Sequence, residues 1–237
     1  NDNFGAAVAA LGGNILVGAP LDDTAGPNAG AVYLFNGVTG VLIRTFLNPD
    51  PTVDDHFGAA IATLGSNILV GAPSDTTAAG GVAYLISSTN GAVLKVFLNP
   101  SPAAGDDFGS TITAVGGSVL IGAPSHDTPT VPNQGEAYLF NPVTGAVVRT
   151  FADPTPTPGD LFGASLGSLG SDVLIGAPVI DEATVSGGAV YLFNISNGNL
   201  LRTFNSLAPV INDAFGYAIA GIAPDAVGRV FEPYFTT

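Results

Sequence analysis

Two short motifs recur along this chain at fixed separations, and that recurrence limits what it can fold into. Phe-Gly pairs begin at Phe4, Phe57, Phe108, Phe162 and Phe215, and Gly-Ala-Pro triplets begin at Gly18, Gly71, Gly122 and Gly176. The step from Phe to triplet is the same every time (4 to 18, 57 to 71, 108 to 122, 162 to 176). A tyrosine follows in each repeat, and then a second phenylalanine at one constant interval: Tyr33 to Phe46, Tyr84 to Phe97, Tyr138 to Phe151 and Tyr191 to Phe204. The step from there to the next Phe-Gly pair is also invariant (46 to 57, 97 to 108, 151 to 162, 204 to 215). Only the stretch from Pro to Tyr varies (20 to 33, 73 to 84, 124 to 138, 178 to 191), being shortest in the second repeat and longest in the third. A packed unit fixes its internal lengths while a loop on its free face does not, so each repeat is one supersecondary unit with one adaptable loop.

Composition narrows the kind of unit. Of 237 residues 46% are apolar and 10% charged, with 32 Gly and 18 Pro, which points to short apolar strands and tight turns within one large all-β domain. Disordered chains lack such Val, Ile, Leu and Phe runs. Five Lys and Arg against 19 Asp and Glu give a net charge of −14, which repels a phosphate backbone and argues against a nucleic-acid partner. With no Cys there is no disulfide framework, thiolate metal site or cysteine nucleophile. No apolar run approaches the ~18 residues of a membrane span. The chain holds no Met, which reads as a processed or partial product and leaves room for a removed export signal.

Within the first repeat, Ala6–Leu11 reads as strand one, ending at the Gly12-Gly13 turn. Ile15–Gly18 reads as a buried strand two, Ala31–Asn36 as strand three, and Val41–Leu47, after the Thr39-Gly40 turn, as strand four. Gly65-Ser66, Gly116-Gly117 and Gly170-Ser171 repeat the first turn; Asn90-Gly91, Thr144-Gly145 and Asn197-Gly198 repeat the second. Four antiparallel strands per repeat, with no helical periodicity, match a β-propeller blade that is stable only when stacked on its neighbours. The blades fall at about 4–56, 57–107, 108–161 and 162–214, with one strand of a fifth at 215–222 and a divergent tail at 223–237. Phe4, Phe57, Phe108 and Phe162 are expected between blades, each Gly beside them allowing close backbone approach.

These residues, with Gly-Ala-Val-Tyr-Leu-Phe at Gly30–Phe35 and Gly188–Phe193, resemble the FG-GAP repeat of integrin α-subunit propellers, and most nearly bacterial FG-GAP proteins of exported or surface type. The resemblance covers residues 1 to about 222. It implies a β-propeller, usually seven-bladed, used for extracellular recognition or adhesion. Many such blades hold calcium in an Asp-rich loop between strands one and two. Here that loop is Gly12-Gly13-Asn14 or its counterparts, so the calcium site is not carried over, and no metal or cofactor site is expected.

Other acids recur. Asp2, Asp55, Asp106, Asp160 and Asp213 each precede a Phe-Gly pair by two residues; Asp22, Asp75, Asp127 and Asp181 follow Gly-Ala-Pro. A cation between the two groups is one reading, and caps on turn amides are the favoured one. Arg44, Lys95, Arg149 and Arg202 share one register of strand four, either as an anion-binding row or, preferred, as partners of nearby Asp residues on the outer edge. Gly163-Ala164-Ser165-Leu166-Gly167 has the spacing of a hydrolase nucleophile elbow, but Ser165 aligns with Ala7, Ala60 and Thr111 in a strand followed by a turn, where an elbow needs a helix. His56 and His126 lie in loops of other repeats, so no catalytic residues are expected.

The segment Gly221–Thr237, containing Phe231-Glu232-Pro233-Tyr234-Phe235-Thr236-Thr237, resembles the stretch before the ATP lid of sensor histidine kinases, without the Asn-bearing helix or the Gly-rich loop that holds nucleotide. Thr128-Pro129-Thr130 and Pro154–Pro158 read as exposed extended loops open to O-glycosylation, and Asn194-Ile195-Ser196 fits the N-glycosylation pattern. The sequence therefore reads as a non-enzymatic extracellular or surface propeller that binds a protein or glycan ligand through its Pro-to-Tyr loops. Two alternatives stay open: a subunit of a head-to-tail filament, its strand at Tyr217–Ala220 pairing with a free edge, or a propeller accessory to a larger enzyme or sensor kinase.

Overall fold

The computed structural model describes residues 1–178, 187–207 and 213–221. Among them lie sixteen strands and no helix, arranged as four antiparallel four-stranded sheets in chain order. The first blade is β1 (Val8–Leu11), β2 (Asn14–Ala19), β3 (Ala31–Asn36) and β4 (Leu42–Leu47). The second is β5 (Ala60–Leu64), β6 (Asn67–Ala72), β7 (Val82–Ser87) and β8 (Val93–Leu98). The third is β9 (Thr111–Val115), β10 (Ser118–Ala123), β11 (Glu136–Phe140) and β12 (Val147–Ala152); the fourth is β13 (Ser165–Leu169), β14 (Asp172–Ala177), β15 (Ala189–Phe193) and β16 (Leu200–Asn205). The blades stack through their first strands, β1 on β5, β5 on β9 and β9 on β13, and the fourth strands lie outermost. This is the architecture of β-propeller blades.

Strand geometry explains the unbroken apolar run that follows Asn in Asn-Ile-Leu-Val-Gly-Ala. Successive side chains of a strand point to opposite faces. In β6, Ile68, Val70 and Ala72 join a core with Leu16, Val32, Leu34 and Phe46 of the first blade. Leu69 faces the other way, into a core with Phe97, Val119, Ile121 and Phe140 shared with the third blade. A third core joins Leu120, Leu139 and Phe151 to Val173, Ile175 and Phe193. Both faces of each inner blade are thus buried, and neither residue set can be polar.

The Phe-Gly pairs carry the join between blades. Gly58 donates its N–H to the Gly71 carbonyl of its own blade at 2.9 Å. Its own carbonyl oxygen lies so close to Gly18 of the preceding blade that a Cβ there would overlap it. Gly109 stands the same way on Gly71, Gly163 on Gly122 and Gly216 on Gly176. Beside each contact the Phe N–H reaches back to the preceding blade: Phe57 to Ala29 O at 3.1 Å, Phe108 to Gly80 O at 2.8 Å, Phe162 to Gln134 O at 2.9 Å and Phe215 to Gly187 O at 3.0 Å. The Phe-Gly pair of one repeat docks on the Gly-Ala-Pro of the one before.

Three expectations change. Phe57, Phe108 and Phe162 are fully buried, but Phe4 is 58% exposed, because among the described residues no blade covers it from the side on which the preceding blade covers the other three. Strand one begins at Val8 rather than Ala6, since the Phe-Gly turn takes the residues before it. Tyr217–Ala220 forms no strand: Phe215-Gly216 docks on the fourth blade, but among the described residues no second strand of a fifth blade offers a ladder. Phe108→Ala is expected to lower unfolding free energy by about 3–5 kcal/mol, as for a buried Phe, and Phe4→Ala by about 1 kcal/mol or less. Urea denaturation of the two variants checks this, and equal losses would sink the assignment.

Candidate interaction surface

The Pro-to-Tyr loops and the linkers between blades lie side by side, and the recurring acids hold them. Asp55, buried, accepts from the Thr52 N–H at 2.5 Å, from the Thr52 hydroxyl and from Asn48 Nδ2 at 2.7 Å. Asp106 accepts from the Ala103 N–H at 2.8 Å and Asn99 Nδ2 at 2.7 Å; Asp160 accepts from the Thr157 N–H and hydroxyl, both at 2.5 Å. In the variable loops Asp75 accepts the Thr77 N–H at 2.8 Å, Asp22 the Thr24 N–H at 2.8 Å and Asp127 the Asn133 N–H at 2.7 Å. Asp2 contributes its carbonyl, which accepts from the Leu21 N–H at 3.2 Å. The Asp side chains cap turn amides, which is what short carboxylates do well. Among the described residues no group of three or more His, Asp or Glu is placed to hold a metal ion. Asp181 lies outside the described residues.

Each blade tyrosine meets this polar layer. Tyr33 donates to Asp22, which pushes the phenol up to about 12, with burial adding to it. Burial alone would raise the Asp22 carboxyl, but the bonds from Thr24 and Tyr33 outweigh it and hold it below the usual carboxylate range. Tyr84 and Tyr138 are raised chiefly by burial, Tyr84 then by the charge of Asp75 and Tyr138 by its bond to Glu136. In the third blade His126 takes the position that Asp22 and Asp75 hold, four residues after the triplet Gly, and Glu136 supplies the carboxylate, accepting from Tyr138 at 2.6 Å. His126 is buried, its Nδ1 3.3 Å from Asp106 and its Nε2 3.9 Å from Glu136. This paired exchange of Asp for His and of an apolar residue for Glu is visible when the repeats are aligned.

The shortest variable loop, from Pro73 to Tyr84, leaves a cleft of about 500 Å3 against the second blade. Ala78, Ala79, Val93, Val96 and Leu98 line it with Asp50 and Asp75 at its polar side. Beside it is a second hollow of about 280 Å3 that shares Asp75 and Ala79 and runs toward Gly105 and Asp107. Small apolar side chains, a few carboxylates and open loop backbone line this surface.

Among the described residues Arg44, Lys95 and Arg149 bond to carbonyls rather than to Asp. Arg44 Nη2 donates to Thr89 O at 2.9 Å and Lys95 Nζ to Thr144 O at 3.4 Å. Arg149 donates from Nη1 to Asn197 O at 2.9 Å, from Nη2 to Ser196 O at 2.7 Å and from Nε to Ile195 O at 3.4 Å. Each cation caps the carbonyls of the turn between strands three and four in the next blade, because that turn presents oxygens where the outer strand passes. Arg202 holds the corresponding register in β16. Repeat spacing gives no sign of this because the partners are backbone atoms.

Ser165 sits buried in β13 and donates to Gly216 O at 2.5 Å, so its hydroxyl serves docking of Phe215-Gly216. Thr111 does the same for Gly163 O at 2.6 Å. His56 Nδ1 lies 3.0 Å from Ser74 Oγ, in a different blade from Ser165. Asn194 of the glycosylation pattern caps its own turn, its Oδ1 accepting from Ser196 and Asn197 N–H groups while its Nδ2 donates to Asp172 at 3.2 Å.

Residues 1–35 and 99–140 match the FG-GAP repeat family model. The match reaches the first and third repeats, and the docking of Phe108-Gly109 in the third repeat recurs at Phe57-Gly58 in the second and Phe162-Gly163 in the fourth. No curated protein matches the chain. No helix among the described residues is long and apolar enough to cross a membrane. The kinase-like stretch after Gly221 lies outside the described residues. Arg149→Ala, which removes three carbonyl bonds between the third and fourth blades, is expected to lower stability by about 1 kcal/mol; an unchanged urea midpoint counts against the strap.

Proposed function

We propose that this chain is a non-enzymatic interaction module of extracellular or cell-surface type, of bacterial kind, that contacts a protein or glycan ligand through its Pro-to-Tyr loops. The observation that carries this reading is the cleft beside the second blade: the rigid repeat is held to fixed lengths, and the one loop that shortens opens an apolar recess edged by Asp50 and Asp75. A rigid scaffold with variation confined to one set of loops is how binding surfaces are built. The acidic balance makes a nucleic-acid ligand unfavourable. Methyl NMR of the intact chain against a panel of oligosaccharides and purified surface proteins tests the reading. Shifts are expected at Ala78, Ala79 and Val96, and Ala78→Trp, which fills the recess, is expected to abolish them without moving the melting temperature. Shifts confined to other faces would replace this site.

A second reading, assembly into a head-to-tail polymer, is favoured by the two ends of the stack. Ile15 is 42% exposed where Ile68, Val119 and Val173 are fully buried, and Phe204 is 37% exposed where Phe46, Phe97 and Phe151 are buried. The first blade thus presents one half of a blade junction and the fourth the other half. A second copy of this chain fits between them, and such heterologous contacts extend unless the rotation closes. Native mass spectrometry is expected to show multimers that Phe4→Asp and Phe204→Asp each dissociate. A monomer at every concentration assigns those faces to further blades of the same polypeptide or to an enzyme or sensor that carries the propeller.

A further inference from the structure

Each junction between repeats closes on the carboxylate two residues before Phe-Gly. At the first, Asn48 Nδ2 donates to Asp55 Oδ2 at 2.7 Å, and at the second Asn99 Nδ2 donates to Asp106 Oδ2 at 2.7 Å. At the fourth, Ser206 Oγ donates to Asp213 Oδ2 at 3.2 Å. The donor always stands two residues after the second Phe of the repeat. At the third junction that residue is Asp153, which has no side-chain donor when ionised.

The geometry around Asp153 is otherwise unchanged. Asn48 Oδ1 accepts the Asp50 N–H at 3.1 Å, Asn99 Oδ1 the Ser101 N–H at 3.0 Å, and Asp153 Oδ1 the Thr155 N–H at 2.8 Å. Asp153 Oδ2 therefore occupies the place where the other two hold an amide nitrogen. Asp153 is 7% exposed and Asp160 8%, and Asp153 Oδ2 is buried without a hydrogen-bond partner. Thr155 Oγ1, 3.5 Å from Asp153 Oδ1, lies 2.9 Å from the Tyr191 hydroxyl. Among the described residues the titratable groups acting on Asp153 are Asp160 from its own linker and Tyr191 from β15, and neither brings positive charge.

We propose that Asp153 is a proton-binding site: its Oδ2 carries a proton and donates it to Asp160, closing the third junction with a carboxylic acid–carboxylate hydrogen bond that opens as pH rises. The proton leaves to solvent, and two buried carboxylates remain at one junction. Burial raises the Asp153 carboxyl above its ordinary value, and the charge of Asp160 adds to this, outweighing the bonds from Thr155 and Tyr191 that act in the opposite sense. A divalent cation is the poorer occupant. Calcium takes six to eight oxygens at about 2.3–2.6 Å, whereas Asp160 already accepts twice from Thr157, and the sister junctions span the gap with one direct hydrogen bond.

The sign of the pH effect follows. A carboxyl raised in the folded state contributes stability that is fully present below the unfolded value, about 3.9, and is lost as pH climbs through the folded value. The melting temperature of the intact chain, followed from about pH 4 to about pH 9, is compared with that of Asp153→Asn, which supplies the amide donor of the first two junctions at every pH. Relative to that variant, wild type is expected to lose about 3 °C per pH unit across the window and then run level. Asn99→Asp, which places a second carboxyl pair at the second junction, is expected to steepen the loss. Parallel profiles for wild type and Asp153→Asn overturn the proposal. So does a wild-type transition raised by calcium and lowered by EDTA, which makes the pair a metal ligand. Direct carbon-13 titration of the Asp153 carboxyl in wild type decides even where a variant fails to fold, and an ordinary Asp value there is fatal.

Discussion

Everything in this structure depends on two glycine backbones meeting without side chains between them. The carbonyls of Gly58, Gly109, Gly163 and Gly216 lie against the α-carbons of the previous Gly-Ala-Pro glycines, at a distance that no Cβ could share. The Phe-Gly glycine has φ between 90° and 96° at all five pairs, and at Gly58, Gly109 and Gly163 this turns the chain so that its N–H serves its own blade and its carbonyl meets the blade before. Glycine is required twice over, once for close approach and once for the left-handed turn. With this contact in place the distance between sheets is set, and the apolar faces on either side are brought within packing range. Tetrads such as Leu16, Val70, Phe46 and Ile86 then close a core that no single blade could make.

The contact is directional, which gives the array its polarity. Each blade offers a Gly-Ala-Pro face to the next and a Phe-Gly face to the previous one, so no blade can pack on a copy of itself face to face. The second Phe of a blade likewise meets a strand-three residue of the following blade: Phe97 and Phe140 rings lie 5.2 Å apart, as do Phe151 and Phe193. The Arg and Lys straps run the same way, from the outer strand of one blade to the turn of the next. Core, glycine contact and strap all point forward along the chain, so any partner that covers an end face must supply a matching face in the same sense.

Much of this was legible in the sequence because the repeat itself reports packing. Invariant steps from Phe4 to Gly18, and from Tyr33 to Phe46, show which segments are rigid, and the unbroken apolar run Ile68–Ala72 shows that both faces are buried. Three things were not legible. The position of Phe4 depends on whether a blade precedes it, and its own residues carry no sign of that. The partners of Arg44 and Arg149 are carbonyls, which every residue has, so charge patterning pointed to Asp instead. The residue before the first four Phe-Gly pairs adopts φ between 51° and 59° (Asn3, His56, Asp107, Leu161), and a Leu at the last of these gives no warning of a left-handed backbone.

The polar layer follows a different logic from the apolar one. Backbone docking repeats with little change at every junction, while the side chains that close the linkers vary: Asn48, Asn99, Asp153 and Ser206 hold one position. The third blade exchanges an Asp for His126 and an apolar residue for Glu136, and Tyr138 still finds a carboxylate. Such exchanges are possible because the glycine contacts and cores already fix the geometry, so that each polar cluster needs only to satisfy its own donors and acceptors. A junction held mainly by packing can tolerate a titrating pair where an isolated loop could not. Chemical variety therefore collects in the linkers and variable loops, on a frame that the Phe-Gly and Gly-Ala-Pro residues keep constant.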